Sequence, residues 1–556
     1  MKETKNAVYY SDFGVVGDGA TNDFEAIYNA HNYANENNLP VFGDPDKTYY
    51  IGTTEKDNLA RSIIIKTNTD WRGAKFIIDD TNIAHVPSKA PRDWNTPVIV
   101  VRPYTETLRL EGEAIANIGK IGRDTKKIDL GLGYPALLVV YNVNHRIYIR
   151  YGANANSGNE QREVVLVDKD GNIDPSTPFL LDYDEVSYIE VIRDDIEPLV
   201  VENATFTCYA SRVNTRTVLE DGTVKKMRSY FHRGLEVQRS HTKVRNVKNY
   251  LAGEFTVEEQ AQGFDGPAYH GFFKATCAND VLIEDCVVTA RRYFTPGTYG
   301  FGANHVNNIV LKNCTQSNFY KPGTTNTLSM ETSPLTKKLE YWGLGGTSFC
   351  KNMVYDSCFI TRFDAHAGLY NGKIINSRVS MVNLIGGGDM LIENTVFEPI
   401  YSTLVGLRAD YGSTWRGTIT LKNCKVEPNT VVTPKTQLFI VGQYWSKHYF
   451  GYTCYSPNIV VDNLEIVGKE LPIHITNWIN RGNSGELNVW TAPYLCESTT
   501  PDGEENPNPV VGPDFIKVLN NNKGHSYDIV DAPIFKNTEI VGIKKMTPGQ
   551  NDDQNI

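Results

Sequence analysis

Apolar positions along the chain follow two rhythms. Phe24, Ile27, Ala30 and Tyr33 fall about three residues apart, the spacing of one face of a helix running from Phe24 to Asn37. Elsewhere the period is two, as in a strand with one buried face. Short strands are expected at 39–42 and 49–51. In the second half the alternation comes in recurring phrases. One phrase reads Arg233-Gly-Leu-Glu-Val, then His270-Gly-Phe-Phe-Lys, Tyr299-Gly-Phe-Gly-Ala, Trp342-Gly-Leu-Gly-Gly, Ala367-Gly-Leu-Tyr-Asn and Val405-Gly-Leu-Arg-Ala. Several are followed by a second: Ile283-Glu-Asp-Cys286, Leu311-Lys-Asn-Cys314, Tyr355-Asp-Ser-Cys358, Ile392-Glu-Asn-Thr395 and Leu421-Lys-Asn-Cys424. Loops of variable length between phrases are those of a solenoid with insertions on one face. Equivalent positions then stack, so Cys286, Cys314, Cys358 and Cys424 are expected as an interior ladder of small apolar groups. Thiolate metal ligands would instead need a tetrahedral cluster.

Residues 105–200 break the repeat. Strand-like runs at 137–141, 146–150, 164–167 and 188–192, joined by polar turns, predict a β-rich insertion in an early coil. Asp168-Lys-Asp170-Gly171-Asn172-Ile-Asp174 superficially matches a calcium loop. Its glycine is fourth rather than sixth and a strand precedes it, so a hairpin turn is expected. The last ten residues are expected to fray. The domain reading is 1–104 for the cap and first coils, 105–200 for the insertion or irregular early coils, 201–500 for the main coils with a groove, and 501–556 for a terminal loop and tail.

Composition agrees with a β protein. The 556 residues include 45 Gly, 31 Tyr and 22 Phe beside 7 Met. No apolar run approaches the roughly 20 residues of a membrane span. The 55 basic and 65 acidic residues, a net charge of −10, argue against a general nucleic-acid binder. Nine cysteines cannot all pair within one chain. Met1-Lys2-Glu3-Thr4-Lys5 lacks the apolar core of a secretory signal, which fits a cytoplasmic protein or a mature exported form. One stretch runs against the net charge. Residues 207–250 hold ten Lys or Arg and only three Asp or Glu. A solvated face and a groove for a polyanion both account for it.

The stacked phrases place Arg233, His270, Tyr299 and Trp342 at one position, with His366 beside the next. Glu236, Lys274 and Arg408 follow shortly after. A buried stack would favour Val, Ile and Leu, so the stripe is read as lining an external trough. Two loops border it, one containing Arg291 and Arg292 and the other reading Arg362-Phe-Asp364-Ala-His366. Asp364 and His366 read equally well as an oriented acid–base pair or as a loop clamp.

The segment Asp12-Phe-Gly-Val-Val-Gly-Asp18-Gly, with Asp23 and the helix after it, resembles the N-terminal cap of right-handed parallel β-helices of the pectate-lyase-like superfamily. The stretches Tyr148-Ile-Arg-Tyr-Gly, Val167-Asp-Lys-Asp-Gly-Asn and Arg362-Phe-Asp-Ala-His366 look like those of bacterial polysaccharide lyases, among them enzymes of glycosaminoglycans such as chondroitin or hyaluronan. The resemblance implies an all-β right-handed parallel β-helix with a helical cap. It also implies an anionic polysaccharide partner and an extracellular or periplasmic place of action. A divalent cation such as calcium is left open, because the aspartate cluster of the pectate-lyase pattern is missing.

A lyase must neutralise a uronate, remove its C5 proton and protonate the departing oxygen at C4. His270 or His366 suits the base and Tyr299 the acid, with Arg233, Arg292 or Lys274 against the carboxylate. Glu236, Trp342, Arg362, Asp364 and Arg408 complete the substrate contacts. Two alternatives stand beside this. One is a glycoside hydrolase using carboxylates among Glu236, Asp364, Asp389 and Asp410. The other is a non-catalytic tailspike-like or adhesin module.

Overall fold

The computed structural model describes residues 6–52, 61–83, 96–152, 155–214, 216–218, 220–222, 224–226, 230–264, 268–269, 271–289, 301–317, 347–399, 403–427, 438–441, 449–468, 472–476, 480–481, 487–488, 505 and 509–546. The chain forms two compact units. One comprises Met1–Glu106, Ile192–Gly346 and Cys358–Thr361; the other comprises Thr107–Val191, Thr347–Ser357 and Arg362–Ile556. The division falls inside the stretch read from sequence as one run of main coils. Both units are built from the coils of an all-β, right-handed parallel β-helix.

In the first unit the helix spans Phe24–Asn37 and buries Phe24, Ile27, Ala30, His31 and Ala34. Tyr33, expected on that face, is 41% exposed. A turn of 3.6 residues carries the buried stripe from Ala30 to Ala34 instead. Asn22 Oδ1 accepts the Phe24 amide at 3.2 Å. The Asp23 carboxylate turns back to the amides of Val16 and Gly17, at 2.8 and 3.1 Å, and so fixes the glycine loop. Coil on coil, Val201 pairs with Val244, Ile283 and Leu311 in one row. Ile63, Ile99, Leu235, Phe273 and Phe301 form another. An aromatic ladder of Tyr10, Tyr49, Phe76, Phe206 and Phe272 has centroid spacings of 4.6–5.2 Å. Full burial of each such ring contributes roughly 1.5–3 kcal/mol.

The second unit repeats this plan with Tyr355, Ile374, Ile392, Leu421, Val461 and Val518 in one row. It also holds the insertion, an antiparallel sheet in the order Asn159–Val167, Ala136–Ile147, Tyr188–Arg193, Leu108–Glu111. The runs expected at 137–141 and 146–150 merge into the single strand Ala136–Ile147. Leu138, Val140, Val165 and Ile189 lie in the core of this sheet. Asp168 closes a turn, as expected: its Oδ1 accepts the amides of Asp170 and Asn172, each at 2.9 Å. Several contacts tie the insertion to the coils. Lys351 Nζ lies 3.4 Å from Glu163 Oε2 and donates to the carbonyls of Thr177 and Pro178. Gly451, at φ +90°, packs so close to Arg146 that a Cβ would stand 2.1 Å from its carbonyl oxygen.

The coil corners explain the second phrase. Asn203, Asn246, Asp285 and Asn313 in the first unit have φ of 47–63°, and Asn376, Asn394, Asn423, Asn463 and Asn520 in the second have 45–57°. Asn tolerates this left-handed region at least cost among side-chain-bearing residues. Their side-chain amides hydrogen-bond from coil to coil, as in Asn246 to Asn203 at 2.9 Å and Asn463 to Asn423 at 3.0 Å. The next residue turns inward. Cys314 Sγ donates to Ile283 O at 3.2 Å and Cys358 Sγ to Leu311 O at 3.1 Å; in the second unit Cys424 Sγ donates to Ile392 O at 3.3 Å. The cysteines are buried, as expected, and act as weak donors to the preceding coil as well as fillers. No disulfide forms among the described cysteines.

Candidate functional site

His270, Arg292, Tyr299 and Trp342 lie outside the described residues. Arg233, Glu236 and Lys274 belong to the first unit; Arg362, Asp364, His366 and Arg408 belong to the second.

In the first unit the register differs by one residue from the phrase alignment, because Leu235 pairs with Phe273 and Glu236 with Lys274. Arg233 does not line a trough. It shares the inward face with Leu235, two residues on, and its Nε meets the buried Asp80 carboxylate at 3.2 Å. Its Nη1 donates to Thr96 O at 3.1 Å. This is a core ion pair, which is strongly destabilising to break but is no substrate contact. Glu236 is also buried, 3.2 Å from His232 Nδ1 and 3.4 Å from Lys274 Nζ. Burial alone would raise its carboxyl, but the His232 hydrogen bond and the Lys274 charge hold it well below the usual carboxylate range. Of the three, Lys274 keeps the most solvent contact.

The second unit brings its four residues together. Arg362, Asp364 and His366 alternate along the strand Arg362–Ile375 and project to one side. Parallel pairing sets Asp364 beside Asn383, and Asn383 beside Gly406, which places Arg408 two residues further along. Asp364 is fully buried. Its Oδ2 accepts from Arg362 Nη2 at 2.7 Å and lies 3.5 Å from His366 Nδ1; its Oδ1 is 3.5 Å from Arg408 Nη1. Burial by itself would raise the Asp364 carboxyl. The Arg362 and Arg408 charges, with the His366 hydrogen bond, outweigh it and keep Asp364 ionised far below the usual range.

Asp410, a candidate carboxylate of the hydrolase reading, and three residues that sequence reasoning did not assign, Arg150, Tyr151 and Tyr411, complete this centre. Arg408 clamps Asp410 through Nε at 3.2 Å and Nη2 at 2.8 Å. Arg150, from the insertion, reaches the same carboxylate at 2.8 Å. Tyr151 N donates to Asp410 O at 2.9 Å. The Tyr411 ring lies 5.1 Å from the Arg408 guanidinium and 5.6 Å from that of Arg150. Burial raises the Tyr411 phenol despite both cations. Three guanidiniums against two carboxylates leave one positive charge. The members open to solvent are His366, Asp410 and Arg150, with side chains 29%, 24% and 21% exposed. Tyr151 is 42% exposed beside them, and Tyr449 is 48% exposed in the loop whose Phe450 carbonyl accepts the Ile149 amide. The signal for Arg150 was present, since its stretch was among those resembling polysaccharide lyases. What sequence could not show was its meeting with Asp410.

Arg408 Nη1 stands 3.1 Å from His366 Nδ1. Arginine only donates, so this contact places the imidazole proton on Nε2. The other tautomer, with the ring turned so that Nδ1–H meets Asp364 rather than Arg408, leaves Nε2 as an acceptor instead. The ring is thus held between a donor and a carboxylate, and either nitrogen state is within reach. Asp410 and Asp364 are both engaged by arginines, and Asp389 lies apart on the strand Gly386–Glu393. Among the described residues no cluster of His, Cys, Asp and Glu could hold a metal ion. No helix of the described residues is long and apolar enough to cross a membrane.

No protein-family model matches the chain, and no curated protein matches it. Similar solved structures include the tailspike protein gp49 from Pseudomonas phage LKA1, at 13% identity and TM-score 0.46, over 84% of this chain and 80% of that one. The Gp54 tailspike of Acinetobacter baumannii bacteriophage AP22, in complex with capsular saccharide, matches at 10% identity and TM-score 0.45, over 96% and 79%. The mannuronan C-5 epimerase AlgE6 A-module of Azotobacter vinelandii matches at 10% identity and TM-score 0.28, over 98% and 96%. Likenesses this distant transfer no activity.

Proposed function

We propose that the protein acts outside the cytoplasm on an acidic polysaccharide, cleaving a uronate-containing chain such as chondroitin or hyaluronan by β-elimination. The observation that carries this reading is His366 held between buried Asp364 and Arg408, on a centre with one uncompensated positive charge. A uronate carboxylate set against Arg150 has its charge neutralised, which makes the C5 proton acidic enough to remove. Once the ring turns its Nδ1–H from Arg408 to Asp364, His366 Nε2 is a free acceptor and takes that proton. The C5–H electrons form the C4–C5 double bond as the C4–O bond breaks. The imidazolium Nε2–H then protonates the departing oxygen, returning the ring to neutrality. Tyr151 and Tyr449 offer ring faces for neighbouring sugars. Hydrolysis by paired carboxylates is less well supported, because both acids of this centre are tied up by arginine.

Incubation with a panel of uronate polysaccharides tests the reading. We expect an ultraviolet-absorbing unsaturated product, abolished by His366→Ala, and a raised KM in Arg150→Met. Reducing ends without absorbance would mean hydrolysis; retained binding with neither signal would mean a sugar-binding module. Full activity in a folded His366→Ala protein would overturn the assignment. His270 and Tyr299 are retained as the base and acid of a separate proposal in the first unit. Loss of turnover in His270→Ala and Tyr299→Phe, with His366→Ala unaffected, would move the chemistry there.

A further inference from the structure

Within the second unit a cavity of ≈ 50 Å³ lies between the insertion and the coils. That is several times the ~10–15 Å³ of such space a single water needs. Its charged lining is Arg123, Arg162, Lys351, Arg416 and Glu163, four cations to one carboxylate. Lys351 and Glu163 satisfy each other at 3.4 Å, and Arg123 lies 4.0 Å from Asp182. The other two arginines are held by rings. The Arg162 guanidinium lies 4.6 Å from the Phe349 centroid, and that of Arg416 lies 4.9 Å from Tyr455. Arg162 Nε is buried and has no hydrogen-bond partner in the protein. An N–H removed from water and left unmade is costly, and native proteins rarely keep one without a ligand or ordered solvent to meet it.

Tyr148 also lines the cavity. Its hydroxyl faces Gly368, where a Cβ would stand 2.5 Å from it, so only glycine leaves the space. Burial pushes this phenol well above its ordinary range, which keeps it a proton donor. Tyr148 also contacts Tyr411 edge-on at 6.0 Å and Tyr452 at 5.0 Å. One ring therefore separates the cavity from the Arg408–His366 centre.

We propose that this cavity is an oxyanion-binding site, taking one carboxylate or sulfate group with Arg162 Nε–H and the Tyr148 hydroxyl as donors and Arg416 as countercharge. The volume suits such a group, which enters as a substituent or as a free ion. The site stands independently of any polysaccharide cleavage.

Crystals of the full chain soaked in sodium selenate should show an anomalous peak within hydrogen-bond distance of Arg162 and Tyr148. In solution, sulfate should raise the unfolding midpoint relative to chloride at equal ionic strength. That rise should be lost in Arg162→Gln and, as a milder second variant, in Tyr148→Phe. A cavity without selenate, or an undiminished sulfate effect in both variants, overturns the proposal. A uronate oligosaccharide added to the soaked crystals identifies the natural source. Displacement of selenate assigns the site to an acidic group of a glycan, and co-occupancy assigns it to a free anion. Absence of turnover in the polysaccharide assay leaves these readouts unchanged.

Discussion

Single charged residues here do different work according to what faces them, and His241 shows how sharply. In the first unit its Nδ1 lies 2.9 Å from Asp280 Oδ2 and its Nε2 lies 3.3 Å from Asp194 Oδ1. The Asp194 and Asp280 hydrogen bonds, against the opposing effect of burial, raise the imidazole to about 9. An ordinary histidine titrates near 6.5. The folded state therefore binds the proton more tightly than the unfolded chain does. This stabilisation is complete below about pH 6.5 and is lost as the pH rises through about 9. We expect the thermal midpoint to fall across that window, and the fall to flatten in His241→Asn, which tolerates the left-handed φ of 51°. An unchanged pH profile in that variant would place the titration elsewhere. The same scale separates Arg233 from Arg408. Both are arginines in recurring phrases, but one meets Asp80 in the core and the other sits between a buried and a half-exposed aspartate.

Among the elements, the corner asparagines set how strands stack. The phrase Lys-Asn-Cys places a left-handed residue before an inward-facing one, and the amide ladder then holds adjacent coils in register. Asn423 accepts from Asn463 and has a φ of 51°. Asn423→Ala should cost roughly 1–2 kcal/mol in urea unfolding, because alanine has the steric penalty and no amide. Asn423→Gly removes the penalty and keeps only the loss of the hydrogen bond, so it should cost less. Equal losses would show that the ladder, and not the backbone conformation, dominates. The cysteine position was readable from sequence as interior. The asparagine before it stood in the same quoted phrases and was not read, although its recurrence was the available signal. The one-residue slip at Glu236 and Lys274 has a different origin. Gly-Leu and Gly-Phe look equivalent in a list of phrases, whereas pairing is decided by which backbone groups meet. Leu235 N in fact donates to Phe272 O at 2.7 Å.

For the whole molecule, a net charge of −10 and a local cationic centre give a specific expectation. General repulsion should keep polyanions from binding broadly, so capture depends on the few groups around Arg150, His366 and Arg408. Electrophoresis through a gel containing hyaluronan or polygalacturonate should retard the protein, and a neutral glucan gel should not. Retardation should weaken with added salt as exposed charges are screened. It should be lost in Arg150→Met. Retardation equal in neutral and acidic gels would mean that the exposed tyrosines alone carry binding.

Periodicity by itself determined the helix at Phe24–Asn37, the solenoid class, the separate β-rich insertion and the buried cysteine row. Each of these depends on which face a residue takes, and spacing along a few residues reports that directly. Only the tertiary structure decided where charge is compensated. Arg150 lies 260 residues before Asp410, on an inserted sheet, and Asp80 is 153 residues from Arg233. No local pattern encodes such a meeting, because variable loops erase any fixed relation between coils. Whether an arginine is a core tie or a solvent-facing cation depends on the partner that folding brings to it.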